Sequence, residues 1–314
     1  MSNDAVHPSS EAQDETSTVG GTLPLSVQST LDEAKQRFRE HMIVQGFAEN
    51  TIKAFIGDLG ILSEQIGANK SVGEISTWDL NDFLAYLLLR RGKPCSPKSY
   101  ARRVTTLKVF FGWLAESGVL PRDPAAALVH RPVTTPLPRI LHDDQVERLL
   151  SVSLDQLLGL PPDARPHLLI SLLLQTGIKK SECMRIELQH LDLSSPQSPV
   201  LNIRYSNPRM AHKERRLAVS PRLVPVLQQY LRQYEPEVRL FECTARNLEY
   251  VLGRAAEVAD IPSGVSFEQL RWTAAVLDFR RGMPEEQLRR KLGLSLISWR
   301  ETVEKIKKLA GAAL

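Results

Sequence analysis

No stretch of this chain is apolar for long enough to cross a bilayer. The most apolar run, Leu168–Leu174, falls far short of the roughly 20 residues that a spanning helix needs. It reads as a buried helix, and no membrane partner is expected. Cysteine is scarce as well. Cys95, Cys183 and Cys243 lie far apart and have none of the close spacings of a metal site, so reduced thiols in a cytoplasmic protein are the plain reading. No metal and no cofactor are expected. Residues 1–30 contain no lysine or arginine, which excludes a basic-then-apolar signal pattern. This segment is rich in Ser, Thr, Gly and acidic residues and is expected to be a disordered acidic tail.

What the tail lacks, the rest of the chain has in excess. The tail holds Asp4, Glu11, Asp14 and Glu15, so the remaining residues carry 40 basic side chains against 36 less these four, or 32, a net +8. A basic body points to a polyanionic partner, although a modest excess is also common in proteins without one. The 314 residues are enough for about two domains of ordinary size.

From Leu31 to about Ser117 the apolar periodicity predicts four helices. The first, 31–45, carries Leu31, Phe38 and Met42. The second, 51–66, is capped by Asn50-Thr51 and carries Ile52, Phe55, Ile56, Leu59 and Leu62. The third opens at Ser76-Thr77, with Trp78, Leu80, Phe83, Leu84 and Leu87 facing inward. The fourth, 97–117, has Tyr100, Val104, Leu107, Phe110, Phe111 and Leu114 on its apolar side. Its opposite face and the turn before it offer Arg90, Arg91, Lys93, Lys98, Arg102, Arg103 and Lys108. Such a face is either simply solvated or a phosphate-contacting surface.

Residues 121–139 contain five prolines, from Pro121 to Pro138, and read as an extended linker with the domain boundary near Pro132. Beyond it, helices are predicted at 143–153, 163–176, 180–189, 221–233, 244–259, 266–281, 284–292 and 296–310. The one strong β signal is Val200–Val219, a hairpin around a loop with Asn207-Pro208, which a third short strand can join. Its basic residues are Arg204, Arg209, Lys213, Arg215 and Arg216.

Two stretches carry a resemblance. Thr176-Gly-Ile-Lys-Lys-Ser-Glu182 follows the pattern T-G-x-R-x-S-E. The run E-Q-L-R-W-T-A-A, then a Gly-containing turn, then L-G-L-S, follows H-x-L-R-H-T and L-G-H-S. Together with G-x-x-x-S-P-K-S-Y ahead of the fourth helix, these resemble the tyrosine recombinases (phage integrases and Xer-type recombinases). The resemblance spans about Leu31 to Lys308 and is stronger in framework than in chemistry. It implies a mainly α protein: a four-helix, SAM-like core-binding domain at 31–120, the linker, and a mostly helical domain at 140–314 of the recombinase catalytic type with a small antiparallel sheet.

In that family a tyrosine attacks a DNA phosphodiester. Two arginines and a His or Trp stabilise the non-bridging oxygens, and a lysine protonates the leaving oxygen. These types suit the task, because the nucleophile must form a covalent phosphotyrosine and the arginines must grip phosphate oxygens bidentately. Carried over, only Lys213 and Arg271 keep the family residue. Lys179 replaces an arginine and loses its planar fork. Glu268 stands for His or Lys, and an i,i+3 pair with Arg271 is the structural use open to it. Leu294 replaces His or Trp, and Val303 replaces the tyrosine.

The last tyrosine in the chain is Tyr250, so no shift of register restores the nucleophile. The nearby hydroxyls of Ser298 and Thr302 have no adjacent histidine and are poor substitutes. The resemblance thus implies a protein that binds double-stranded DNA without cleaving it, a pseudoenzyme acting as an architectural, regulatory or accessory recombination factor. Its amphipathic last helix would dock on another copy or on an active recombinase. DNA contacts are expected from Arg90, Arg91, Lys93, Lys98, Arg102, Arg103, Lys108, Arg209, Lys213, Arg215 and Arg271. The alternatives are a protein-interaction scaffold that no longer binds DNA and an active recombinase with a non-standard nucleophile.

Overall fold

The computed structural model describes residues 24–129, 136–195 and 197–311. The chain divides into two compact units, Met1–Thr135 and Pro136–Leu314. The expected tail up to residue 23 and the expected boundary at Pro132 lie outside the described residues.

The N-terminal unit has four helices, α1 (Leu31–Val44), α2 (Glu49–Ile66), α3 (Thr77–Leu89) and α4 (Pro97–Glu116). Their starts have local causes. Thr30 and Glu33 exchange hydrogen bonds as a capping box at α1, Ser76 and Asp79 do so at α3, and Ser96 caps α4 ahead of Pro97. Helix α2 begins earlier than expected. Ala48 occupies its N-cap without a side-chain hydrogen bond, so Asn50 and Thr51 lie inside the helix and do not cap it.

The core joins Leu31, Phe38 and Met42 of α1, Phe55, Leu59 and Leu62 of α2, Leu80, Phe83, Leu84 and Leu87 of α3, and the apolar side of α4. Phe38 meets Phe110 edge-on at 5.2 Å between ring centroids. Trp78 is a correction, being 74% exposed. It precedes Leu80 by two residues, about 200° around the helix, and so shares a face with exposed Leu89.

The end of the expected tail and the start of the expected linker pack on this unit. Leu25 packs on its core, and Val27 O accepts from Gly73 N at 2.9 Å, so order begins before Leu31. Ala125 and Leu128 are buried in the same core, and Thr77 Oγ1 donates to Pro124 O at 2.7 Å. The first half of the proline-rich stretch is thus fixed against α3.

A buried polar knot ties α2 to α4. Asp58 is 3% exposed. Its carboxylate accepts from Arg102 Nη2 at 2.8 Å, from Arg103 Nε at 3.3 Å and from Thr106 Oγ1 at 3.1 Å. Asp58→Asn should cost about 1–3 kcal/mol in a denaturant melt, because it leaves Arg103 buried without a counter-charge.

The C-terminal unit contains α5 (Asp143–Leu158), α6 (Ala164–Thr176), α7 (Lys180–Cys183), α8 (Leu223–Tyr234), α9 (Ala245–Val258), α10 (Phe267–Arg280), α11 (Glu285–Lys291) and α12 (Leu296–Gly311). Strands β1 (Leu191–Asp192), β2 (Val200–Ile203) and β3 (Arg215–Ala218) form one antiparallel sheet in that order, with Leu201 opposite Leu217 and Ile203 opposite Arg215. The apolar run read from the sequence is α6, packed against α5, α8 and α10, with Leu168, Leu169, Ile170, Leu172 and Leu173 all buried.

Helix α7 is shorter than the expected 180–189. After Cys183 the chain extends instead, because Leu240 N donates to Ile186 O at 2.8 Å and Leu188 N donates to Val238 O at 2.9 Å. Helix α10 lies between two cores. Phe267 and Leu270 join the core around α6, whereas Ala275 and Val276 join a second one with Leu288, Leu292, Trp299, Val303, Ile306 and Leu309.

Candidate nucleic-acid interface

Gly177 ends α6 in the left-handed conformation, φ 59°, and a Cβ there would sit 3.1 Å from Leu292 Cδ2. This glycine lets the turn press against α10 and α11. The turn delivers Lys179 to the N-cap of α7. Lys179, Arg271, Glu268, Leu294 and Thr302 then line one cleft of about 710 Å³, together with Trp272 and Phe267. The substituted family positions are therefore assembled in one place, except Val303.

Arg271 donates Nη1 to Gly177 O and Nη2 to Leu292 O, the latter at 2.7 Å, and burial lowers its pKa to about 10. Its fork holds the α6–α7 turn against the end of α11. The expected Glu268–Arg271 pair does not form. Arg271 is occupied by carbonyls and Glu268 is exposed. Burial lowers the Lys179 pKa, as do the charges of Arg271, Lys213 and Arg215, and Glu182 opposes them. Leu294 is half-buried at the cleft, and Val303 is 7% exposed within the α10–α12 core.

Thr302 reaches the cleft, but its hydroxyl donates to Ser298 O at 2.7 Å. Val303→Tyr should destabilise the unit by about 1–3 kcal/mol through overpacking. It should also give no covalent adduct on nicked duplex DNA, measured by denaturing gel after a melting check.

Beside the cleft lies an ion pair that the sequence reading missed. Arg215 donates Nη1 to Glu182 Oε1 at 3.0 Å and Nη2 to Oε2 at 2.9 Å, a two-bond fork, and Nε to Lys291 O at 2.7 Å. Lys179 N donates to Glu182 Oε2 at 2.8 Å, and Tyr205 OH donates to Oε1. The side chains of Arg215 and Glu182 are 8% and 2% exposed. These contacts, outweighing the penalty of burial, bring the Glu182 pKa down to about 2. Burial and the neighbouring carboxylate push the Tyr205 pKa up to about 12. Gly293 makes the room, since a Cβ there would lie 2.7 Å from Arg215 Nη1. No spacing links residue 182 to residue 215, so only the packed fold reveals the pair.

The basic residues expected at DNA thus separate into two groups. Arg103 and Arg215 are buried. They are held inside by Asp58 and Glu182, because a buried carboxylate needs a partner more than the surface needs a cation. Arg271 is likewise engaged by backbone. Arg90 pairs with Asp82 at 2.6 Å, Arg102 reaches Asp58, and Lys108 donates to Ala126 O at 3.0 Å. Lys93, Lys98 and Arg209 are exposed and Arg91 half-exposed, and none of the four enters an ion pair among the described residues. Arg209 sits with half-buried Lys213 on the 3₁₀ turn Pro208–Lys213 that joins β2 to β3.

The profile of the phage integrase N-terminal SAM-like domain matches residues 35–119. Over 203 residues the chain is 28% identical to tyrosine recombinase XerD of Listeria innocua, 64% of this chain and 65% of that protein. In sequence the chain is similar to the tyrosine recombinases. It spans just under two thirds of that relative's length. Two solved recombinases share the fold. The Tn1549 transposon integrase in complex with a circular intermediate DNA superposes with a TM-score of 0.68 at 16% identity, over 88% of this chain and 94% of that one. The lambda integrase tetramer bound to a Holliday junction gives 0.67 at 14%, over 88% and 77%. Among the described residues no helix is long and apolar enough to cross a membrane.

Proposed function

We propose that this tyrosine recombinase homologue binds double-stranded DNA and does not cleave it, serving as an architectural, regulatory or accessory factor in the cytoplasm. The observation that carries the reading is at the nucleophile position. Val303 fills the core, no tyrosine follows Tyr250, and the Arg271 guanidinium is bonded to two backbone carbonyls. Phosphoryl transfer needs an activated nucleophile and an oriented guanidinium fork on the developing charge; here the nucleophile position is a core valine and the Arg271 fork is engaged by backbone.

DNA binding itself is supported by Arg91, Lys93 and Lys98 on one unit and by Arg209 and Lys213 on the hairpin of the other. Contacts of this type position a protein on the duplex without reading sequence. Helix α12 begins with exposed Leu296 and Ile297, which suits docking on a second copy or on an active recombinase.

Binding of the purified protein to genomic fragments across a salt series tests the reading, with sequencing of what is retained. Steep loss of affinity with salt is expected. Discrete enriched sites would identify a regulator, and even retention an architectural protein. Absence of binding at low salt would refute the proposal and favour a protein-interaction scaffold.

A further inference from the structure

The cleft around Lys179 has chemistry that a phosphodiester does not use. Its inner wall is apolar, formed by Val265, Phe267, Trp272, Ala275, Leu292 and Leu294. Two of the Arg271 nitrogens that line it already donate to carbonyls, and Leu294 donates nothing. Lys179 enters no ion pair among the described residues. The carboxylate that offsets its cationic neighbours, Glu182, is itself held by the Arg215 fork. At the mouth, Glu249 is neutralised by Lys180 at 2.8 Å, and Glu268 is exposed.

A cavity of about 710 Å³ lies in the range of small-molecule sites, where apolar walls surround a few polar groups. Here one unpaired ammonium stands beside an apolar wall, and an exposed carboxylate at the mouth disfavours multiply charged ligands. We propose that the cleft binds a small organic monoanion with an apolar body, of the aromatic or aliphatic carboxylate or sulfonate class. The head group would pair with Lys179, and the body would lie along Trp272 and Leu294. This goes beyond the DNA reading and does not rest on it.

The test is fluorescence titration of the full chain with anilinonaphthalene sulfonate, beside Lys179→Met, Leu294→Glu and Leu294→Met variants checked by thermal melts. Saturable binding is expected. Lys179→Met and Leu294→Glu should each weaken it about tenfold, as removal of a single ion pair or apolar anchor does, and Leu294→Met should keep it. Equal binding by Lys179→Met and the unmodified protein would overturn the proposal, since the probe would then sit on another apolar patch. Displacement of the probe by inorganic phosphate as readily as by naphthalene sulfonate would also overturn it, because the site would then read charge alone. Should Leu294→Glu fail to fold, Lys179→Met decides. Duplex binding of the unmodified protein is read separately in the salt series, so failure here is distinct from failure of the DNA reading.

Discussion

Glu182→Ala should destabilise the C-terminal unit by about 3–5 kcal/mol, the usual result of removing one partner from a buried ion pair. The loss would leave the Arg215 guanidinium inside with, among the described residues, only Lys291 O and Lys213 O as acceptors. It would also free the Tyr205 hydroxyl and the Lys179 amide. Arg215→Ala should cost a similar amount, and the double variant less than the sum, since the two residues act as one unit.

The pH dependence has a definite sign. The Glu182 carboxyl is held at about 2, below its ordinary 4.5, so its contribution is fully present above pH 4.5. It is lost as pH falls toward 2. Melting temperatures of the native protein should therefore drop across that window, and those of Glu182→Gln should drop less. Equal slopes would show that the pair contributes no net stability. Chemical denaturation at neutral pH measures the first effect and an acid series the second.

The helices were legible because their signals are local. Ser76 marks the start of α3, and the spacing of Leu80, Phe83, Leu84 and Leu87 marks a buried face. That reasoning failed at Trp78 through helix geometry and elsewhere through distant residues. Trp78 has the composition of a core residue, yet its angular position places it outside. Helix α7 stops because residues 238 and 240 offer backbone partners to Ile186 and Leu188. Arg103 and Arg215 share the composition of the exposed cations and are distinguished by Asp58 and Glu182, 45 and 33 residues away. The candidate site was legible in location, as Lys179, Glu268, Arg271 and Leu294 share a cleft. Its electrostatics were not, because pairing across the fold decides which charges remain available.

That difference gives the second large prediction. Replacing Arg91, Lys93, Lys98 and Arg209 together by glutamine should weaken duplex binding by about three powers of ten at low salt. This takes about 1 kcal/mol for each exposed cation. The slope of log affinity against log salt should flatten by about 0.9 for each phosphate no longer neutralised, or about 3.6 in all. Folding should be untouched, because none of the four is paired among the described residues. Lys53→Gln, on an exposed i,i+4 pair with Glu49, serves as the control and should change neither quantity. A weakened affinity with an unchanged slope would mean that the four residues act through structure and not by displacing counterions. An unchanged affinity would remove the basis for assigning DNA binding to these two surfaces, whatever the fold they share with the recombinases.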